Sequence, residues 1–216
     1  MSGPFKDMVW SSSRVSWGDG DLGSRLLGIY EQELHSIIEE IVKLEPRRIV
    51  NVGCAEGYYA VGLARRLPLT RVIAVDQNDA ARSYTLANAA DNAVNVSTLS
   101  SPPEPVKGDV WIVDIEGAEY ELLDPTKLSL LRDSYILVEL HEWTRQDLKK
   151  TMALRFNESH DIEEVNSSLR DPNAFEVCRG MPDAQKWAVV SEGRPQSMAW
   201  LWLKPKAADS GLEGFD

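Results

Sequence analysis

Two pairs of titratable residues share one spacing. Asp114 and Glu116 are two positions apart, and so are Glu139 and His141. On an extended strand, residues two apart point to the same side. If the two strands are neighbours, three carboxylates and an imidazole meet at one sheet edge. Groups crowded in that way shift one another's pKa unless a cation, a proton or a substrate offsets them. Two kinds of chemistry fit. One is a general base that takes a proton from a hydroxyl. The other is a hard-cation site, with Asp114, Glu139 and His141 as ligands, that acidifies the hydroxyl. Plainer roles also fit: Glu116 and Glu119 suit the start of the next helix, and His141 suits packing.

A second constellation is Asn51-Val52-Gly53-Cys54-Ala55-Glu56-Gly57-Tyr58. It reads as strand, glycine turn, helix. Gly53 permits the tight turn, and small Cys54 and Ala55 let a ligand approach the backbone. Gly57 lets helix and strand pack closely. The helix start offers free N–H groups. Val75-Asp76 ends the next strand, where a carboxylate can accept hydrogen bonds from the two hydroxyls of a ribose. Turn and acid together predict a nucleoside pocket at the carboxyl edge of a sheet, with Gln77 and Asn78 beside the base. Cys54 has no evident base and sits where a small side chain is needed.

The elements that must hold these residues alternate. Apolar residues at helical spacing run from Leu27 through Tyr30 and Leu34 to Ile41 and predict a helix that stops near Pro46. Strands are predicted at Arg48–Val52, Arg71–Val75, Val94–Leu99, Asp109–Asp114, Tyr135–Leu140, Ile162–Val165 and Met198–Leu203. Helices are predicted at Gly57–Leu67, Asp79–Ala90, from Glu119, and up to Phe156. Thr144 and Asp147 resemble a capping box for the last of these. Such alternation implies a parallel sheet covered on both faces. Residues 1–23 read as a loose arm, with Trp10 and Trp17 as its exceptions. Residues 24–206 read as a single domain and 207–216 as a disordered tail. Within the domain, the polar stretch 167–197 reads as a substrate loop or lid. Its Arg170, Arg179 and Arg194 suit an anionic group, and its Asp171-Pro172 reads as a turn.

The chain has 216 residues, 43% hydrophobic and 26% charged, as expected of a globular domain. No apolar run approaches the roughly 18–20 residues of a spanning helix, so no membrane partner is expected. The stretch MSGPFKDMVW has no basic-then-apolar pattern, so export is not expected. Two cysteines without metal-ligand spacing argue against zinc or a disulfide scaffold. The net charge of −11 repels phosphate backbones, so no nucleic-acid partner is expected. The expected compartment is the cytoplasm.

The pattern N-x-G-x-x-x-G at Asn51–Gly57 resembles motif I of class I S-adenosylmethionine-dependent methyltransferases. Those usually carry an acid where this chain has Asn51, so Glu56 or Glu31 would have to meet the cofactor's ammonium. The block Asp114-Ile115-Glu116-Gly117-Ala118-Glu119, with Glu139 and His141 at the end of a later strand, is similar to the FkbM-type family. The resemblance covers roughly residues 48–142. It implies a Rossmann-like α/β fold: a seven-stranded, mostly parallel sheet with helices on both faces. It implies S-adenosyl-L-methionine as methyl donor and a hydroxyl on a small molecule or sugar as acceptor, with a divalent cation left open. The cofactor-binding residues would be Tyr30, Asn51, Gly53, Cys54, Ala55, Gly57, Tyr58, Asp76, Gln77, Asn78 and Asp114. The acceptor side would be Asp114, Glu116, Glu139 and His141. Two other readings share the βαβ start. One is a nicotinamide-dependent oxidoreductase, although the middle glycine of G-x-G-x-x-G and a Tyr-x-x-x-Lys pair are missing. The other is a non-catalytic cofactor-binding protein.

Overall fold

The structure, a computed structural model, describes residues 3–14, 20–194 and 196–206. Trp17 and the tail 207–216 lie outside them.

The strands are β1 (Arg48–Val52), β2 (Arg71–Val75), β3 (Ser97–Leu99), β4 (Val110–Val113), β5 (Tyr135–Glu139), β6 (His160–Asn166) and β7 (Ala199–Pro205). They form one sheet in the order β3-β2-β1-β4-β5-β7-β6. The pairings from β3 to β5 are parallel, and β7 runs antiparallel to both its neighbours. The doubly wound dinucleotide sheet is ordered 3-2-1-4-5-6. The antiparallel strand inserted here between β5 and β6 sets this sheet apart from it.

The helices are α1 (Leu22–Leu27), α2 (His35–Leu44), α3 (Tyr58–Arg66), α4 (Asp79–Asp91), α5 (Glu119–Leu122), α6 (Leu148–Phe156) and α7 (Asp183–Val190). Each central strand feeds two cores because successive side chains alternate. Ile49 of β1 joins Ile38, Ile41 and Leu63 on one face. Val50 and Val52 join Trp111, Ile136 and Phe156 on the other. β7 divides in the same way, with Trp200 and Trp202 on the first face and Leu201 and Leu203 on the second.

Several elements differ from the sequence reading. The helix expected across Leu27–Ile41 is broken in two. Gly28 caps α1 in the left-handed region (φ 74°), and Glu31 also has positive φ (46°). A glycine just past a helix end is a stop signal that the apolar spacing alone hides. β3 starts at Ser97 rather than Val94, because the Val94 N–H is bonded back to Ala89 at the end of α4. No capping box forms: Thr144 bonds the carbonyl of His141 instead.

The described part of residues 1–23 is packed. Phe5 is 1% exposed, meets Tyr58 edge-on at 5.2 Å, and occupies the space a side chain at Gly62 would need. The described part of the polar stretch 167–197 is a folded cap whose α7 lies against α1: a Cβ on Gly23 would meet the Val189 carbonyl at 2.2 Å. Among the described residues, no helix is long and apolar enough to cross a membrane.

Candidate functional site

The sheet order reverses at β1, and the crevice between the carboxyl ends of β1 and β4 is the topological switch point. A cavity of about 690 Å³ opens there. Tyr30, Asn51, Gly53, Cys54, Ala55, Tyr58, Asp76, Gln77, Asp114 and Glu116 all line it. Gly57, Asn78, Glu139 and His141 do not; the last two are buried behind Asp114 and Glu116.

The floor is backbone. Gly53 has φ 78°, and a Cβ there would lie 1.5 Å from the Asp114 carbonyl, so β1's turn and β4's end touch through this residue. Ala55 is also left-handed (φ 46°). Its N–H donates to Oδ2 of Asp76 at 3.1 Å, and the N–H of Asn78 donates to Oδ1 at 2.8 Å. Each oxygen of Asp76 therefore holds one backbone amide and keeps lone-pair capacity for another donor. The carboxylate locks the turn and faces the cavity at once. Gly57 has a different neighbour from the one expected. A Cβ there would strike Thr85 at 2.8 Å, so it brings α3 against α4. Asn78 caps α4 by accepting the Ala80 N–H. Burial pushes the Cys54 thiol up to about 12, which leaves it unreactive at neutral pH.

One wall is formed by α1 and the segment after it. The Arg25 guanidinium lies 4.6 Å from the Tyr30 ring and 5.4 Å from Trp10. It pairs with Asp21 at 2.6 Å and with Glu56 at 3.1 Å. Both acids suggested for the cofactor's ammonium are thus already engaged, since Glu31 pairs with Arg194 at 2.5 Å and accepts the Tyr59 hydroxyl. Asn51 is 2% exposed, and its amide donates to the Ile112 carbonyl at 3.5 Å. Ser100 and Ser101, just past β3, also line the cavity without any sequence signal to mark them.

The opposite wall is titratable. The four residues picked out by spacing do converge, because β4 and β5 are parallel neighbours. His141 is 1% exposed, with Nε2 at 3.5 Å from Asp114 and 3.4 Å from Glu116. Its Nδ1 lies 2.6 Å from Glu119. Asp114, Glu139 and His141 each bring one ligand atom within 4.8 Å of the others, the donor set a hard cation would use. A cation is already beside it: Arg194 pairs with Glu139, with Glu31, and with Glu192 at 2.7 Å.

The Asp114 side chain is 38% exposed, toward the cavity. Desolvation, then the charges of Glu31 and Glu116, push it up to about 7. Burial, with Asp114 and Glu31 beside it, holds Glu139 well above the ordinary carboxylate range. Burial alone would lower His141, but Glu119, Glu139 and Glu116 outweigh it and raise the ring above its usual value.

The arginines of the cap do not wait for an anion. Arg170 is held by Glu33 at 2.7 Å and Glu192 at 2.5 Å, and Arg194 by its three acids. Arg179 pairs loosely with Glu176 at 3.5 Å on the surface. Glu192 carried no sequence signal for the site, and Glu31 was marked for the cofactor's ammonium rather than for its pair with Arg194, which is far from it along the chain.

No family model matches this chain, and no curated protein matches it. Solved structures do. An rRNA methylase from Streptococcus thermophilus superposes with TM-score 0.54 at 10% identity, covering 81% of this chain and 97% of that one. The O-methyltransferase TomG from Streptomyces achromogenes, in complex with SAM, gives 0.51 at 12% identity over 88% and 92%. TYW2 from M. jannaschii, in complex with AdoMet, gives 0.50 at 15% identity over 90% and 80%. The fold is that of the class I S-adenosylmethionine-dependent methyltransferases.

Proposed function

We propose that this chain is an S-adenosylmethionine-dependent methyltransferase that methylates a hydroxyl oxygen on a small molecule or sugar, as its FkbM-like block implies. The observation that carries the reading is the open cavity over the Gly53 turn with the Asp76 carboxylate on its floor. Asp76 would grip the ribose hydroxyls, with Gln77 toward the base. The backbone from Gly53 to Ala55 and the Tyr58 ring would meet the methionine portion, and Tyr30 would cover it. The lining acids Asp114 and Glu116 suit a ligand that carries a sulfonium and an ammonium.

The sulfonium methyl is already activated, so the protein's task is alignment and proton removal. His141 fits the base: its Nε2 lies beside the cavity-lining Asp114 and Glu116. A divalent cation on Asp114, Glu139 and His141 is the second reading, favoured by their spacing. Arg194 already meets part of that charge, which favours the base. The net charge of −11 favours a small acceptor over a nucleic acid, although an rRNA methylase shares the fold. A cytoplasmic location fits the same composition.

Parallel titrations with S-adenosylmethionine and reduced nicotinamide cofactor test the reading. Saturable binding of the first alone is expected. Binding of the second alone would reverse the assignment.

A further inference from the structure

Spacing alone gives Glu119 a plain role, that of a helix-start carboxylate. Its surroundings do not suit that role. α5 has four residues, too few for a strong dipole. Glu119 is fully buried, at 0% exposure. Its Oε1 meets Nδ1 of His141 at 2.6 Å and accepts the N–H groups of Ile115 and Gly117 at 3.3 and 3.2 Å. Its Oε2 is buried without a hydrogen-bond partner among the described residues. A carboxylate oxygen left unpaired in a dry interior is costly. The short contact to His141 is the interaction that offsets it.

Further contacts fix the residue's backbone and one edge of its ring. The His141 carbonyl accepts from Thr144 twice, from N–H at 3.0 Å and from Oγ1 at 2.7 Å. Thr144 fills the space a Cβ on Gly117 would need, 2.7 Å away. Trp143 meets the imidazole edge-on at 4.8 Å. These contacts leave Nε2 beside Asp114 and Glu116.

We infer that Glu119 is a positioning residue: it accepts the Nδ1–H of His141 and thereby leaves the Nε2 lone pair of the neutral ring for the acceptor's proton. An ionised carboxylate can only accept, and the 2.6 Å contact at Nδ1 is far shorter than the 3.5 and 3.4 Å approaches of Asp114 and Glu116 to Nε2, so the neutral ring carries its proton on Nδ1. The use of that lone pair rests on the methyl-transfer reading; the tautomer does not. In that reaction the hydroxyl proton passes to Nε2 while the oxygen forms a bond to the methyl carbon. The carbon–sulfur bond breaks with its electron pair going to sulfur, which leaves S-adenosylhomocysteine. The imidazolium, held by Glu119, then loses its Nε2 proton to water.

The test is the ring nitrogen NMR of His141, at a pH where the ring is neutral, in the wild type, Glu119→Gln and Glu119→Ala. S-adenosylhomocysteine affinity is measured alongside. In the wild type the proton is expected on Nδ1. In both variants it should move toward Nε2, where Asp114 and Glu116 accept it. Cofactor affinity should stay within about twofold, and methyl transfer should fall about a hundredfold. The near-isosteric Glu119→Gln keeps the test open if the alanine variant does not fold. A wild-type ring with its proton on Nε2, or variants with unchanged ring shifts, would overturn the inference. Failure of the wild type to bind S-adenosylhomocysteine would instead remove the methyl-transfer reading and leave the tautomer result standing.

Discussion

The floor of the cavity and its titratable wall are built from different materials. At β1 and β2 the chain offers backbone: a left-handed glycine, a left-handed alanine and amides gathered by one carboxylate. Past the ends of β4 and β5 it offers charged side chains held in place by one another, with Asp114 and Glu116 open to the cavity and Glu119, Glu139 and His141 buried behind them. A backbone site is specified locally, within a few residues. A side-chain site needs partners from wherever the chain returns. The first suits a ligand of fixed shape such as a nucleoside, and the second suits proton transfer to a variable acceptor.

The contrast can be broken from either side. The largest effect is expected from Gly53→Ala, whose Cβ would sit 1.5 Å from the Asp114 carbonyl. A loss of stability on the order of 4 kcal/mol or more, read by denaturant unfolding, is expected. A mild effect would mean the floor is less rigid than described.

His141→Ala should slow methyl transfer by about a hundredfold to ten-thousandfold without weakening cofactor binding. The pH profile sharpens this prediction. Only the neutral ring accepts a proton, and the surrounding carboxylates hold its pKa above the ordinary 6.5. Turnover should therefore rise with pH through a value above 6.5 and fall below it. A rate that climbs as the pH drops would contradict the base.

Arg194→Met leaves Glu31 and Glu139 buried without their cation, at 3% and 4% side-chain exposure. Breaking a buried pair costs ~3 kcal/mol or more, so a lower midpoint of thermal unfolding is expected. An unchanged midpoint would show that the acidic wall does not depend on its arginine. The smallest effect should come from Gln77→Ala. Gln77 is exposed and lines the cavity beside the backbone floor, and calorimetry should show less than about a threefold change in cofactor affinity.

The same contrast governs what the sequence could reveal. β1, the Gly53 turn, β2 and Asp76 form a contiguous pattern, and the structure brings them together. Asp114, Glu116, Glu139 and His141 were legible as pairs, but strand periodicity does not place them. β4 ends at Val113, β5 ends at Glu139, and Glu116 is left-handed (φ 53°) in the turn that follows β4, so it is the adjacency of the two strand ends that brings them together. Arg194 was legible only as a residue suited to an anionic group, not as the partner of the acids, since only the return of β7 beside β5 brings it to Glu139. Glu119 was visible as a residue but not in its contact, because burial cannot be read from spacing two residues beyond a glycine. The break at Gly28 was hidden by apolar residues that keep helical spacing across it.

The central claim is that the Gly53 turn and Asp76 hold S-adenosylmethionine. Calorimetric titration of the wild type and Asp76→Ala with S-adenosylhomocysteine tests it most directly. The account predicts one saturable site in the wild type and about a tenfold or greater loss of affinity in the variant, since hydrogen bonds to a charged group contribute about 1.5–3 kcal/mol each. Equal affinity in the two proteins, or no binding to the wild type, would contradict it.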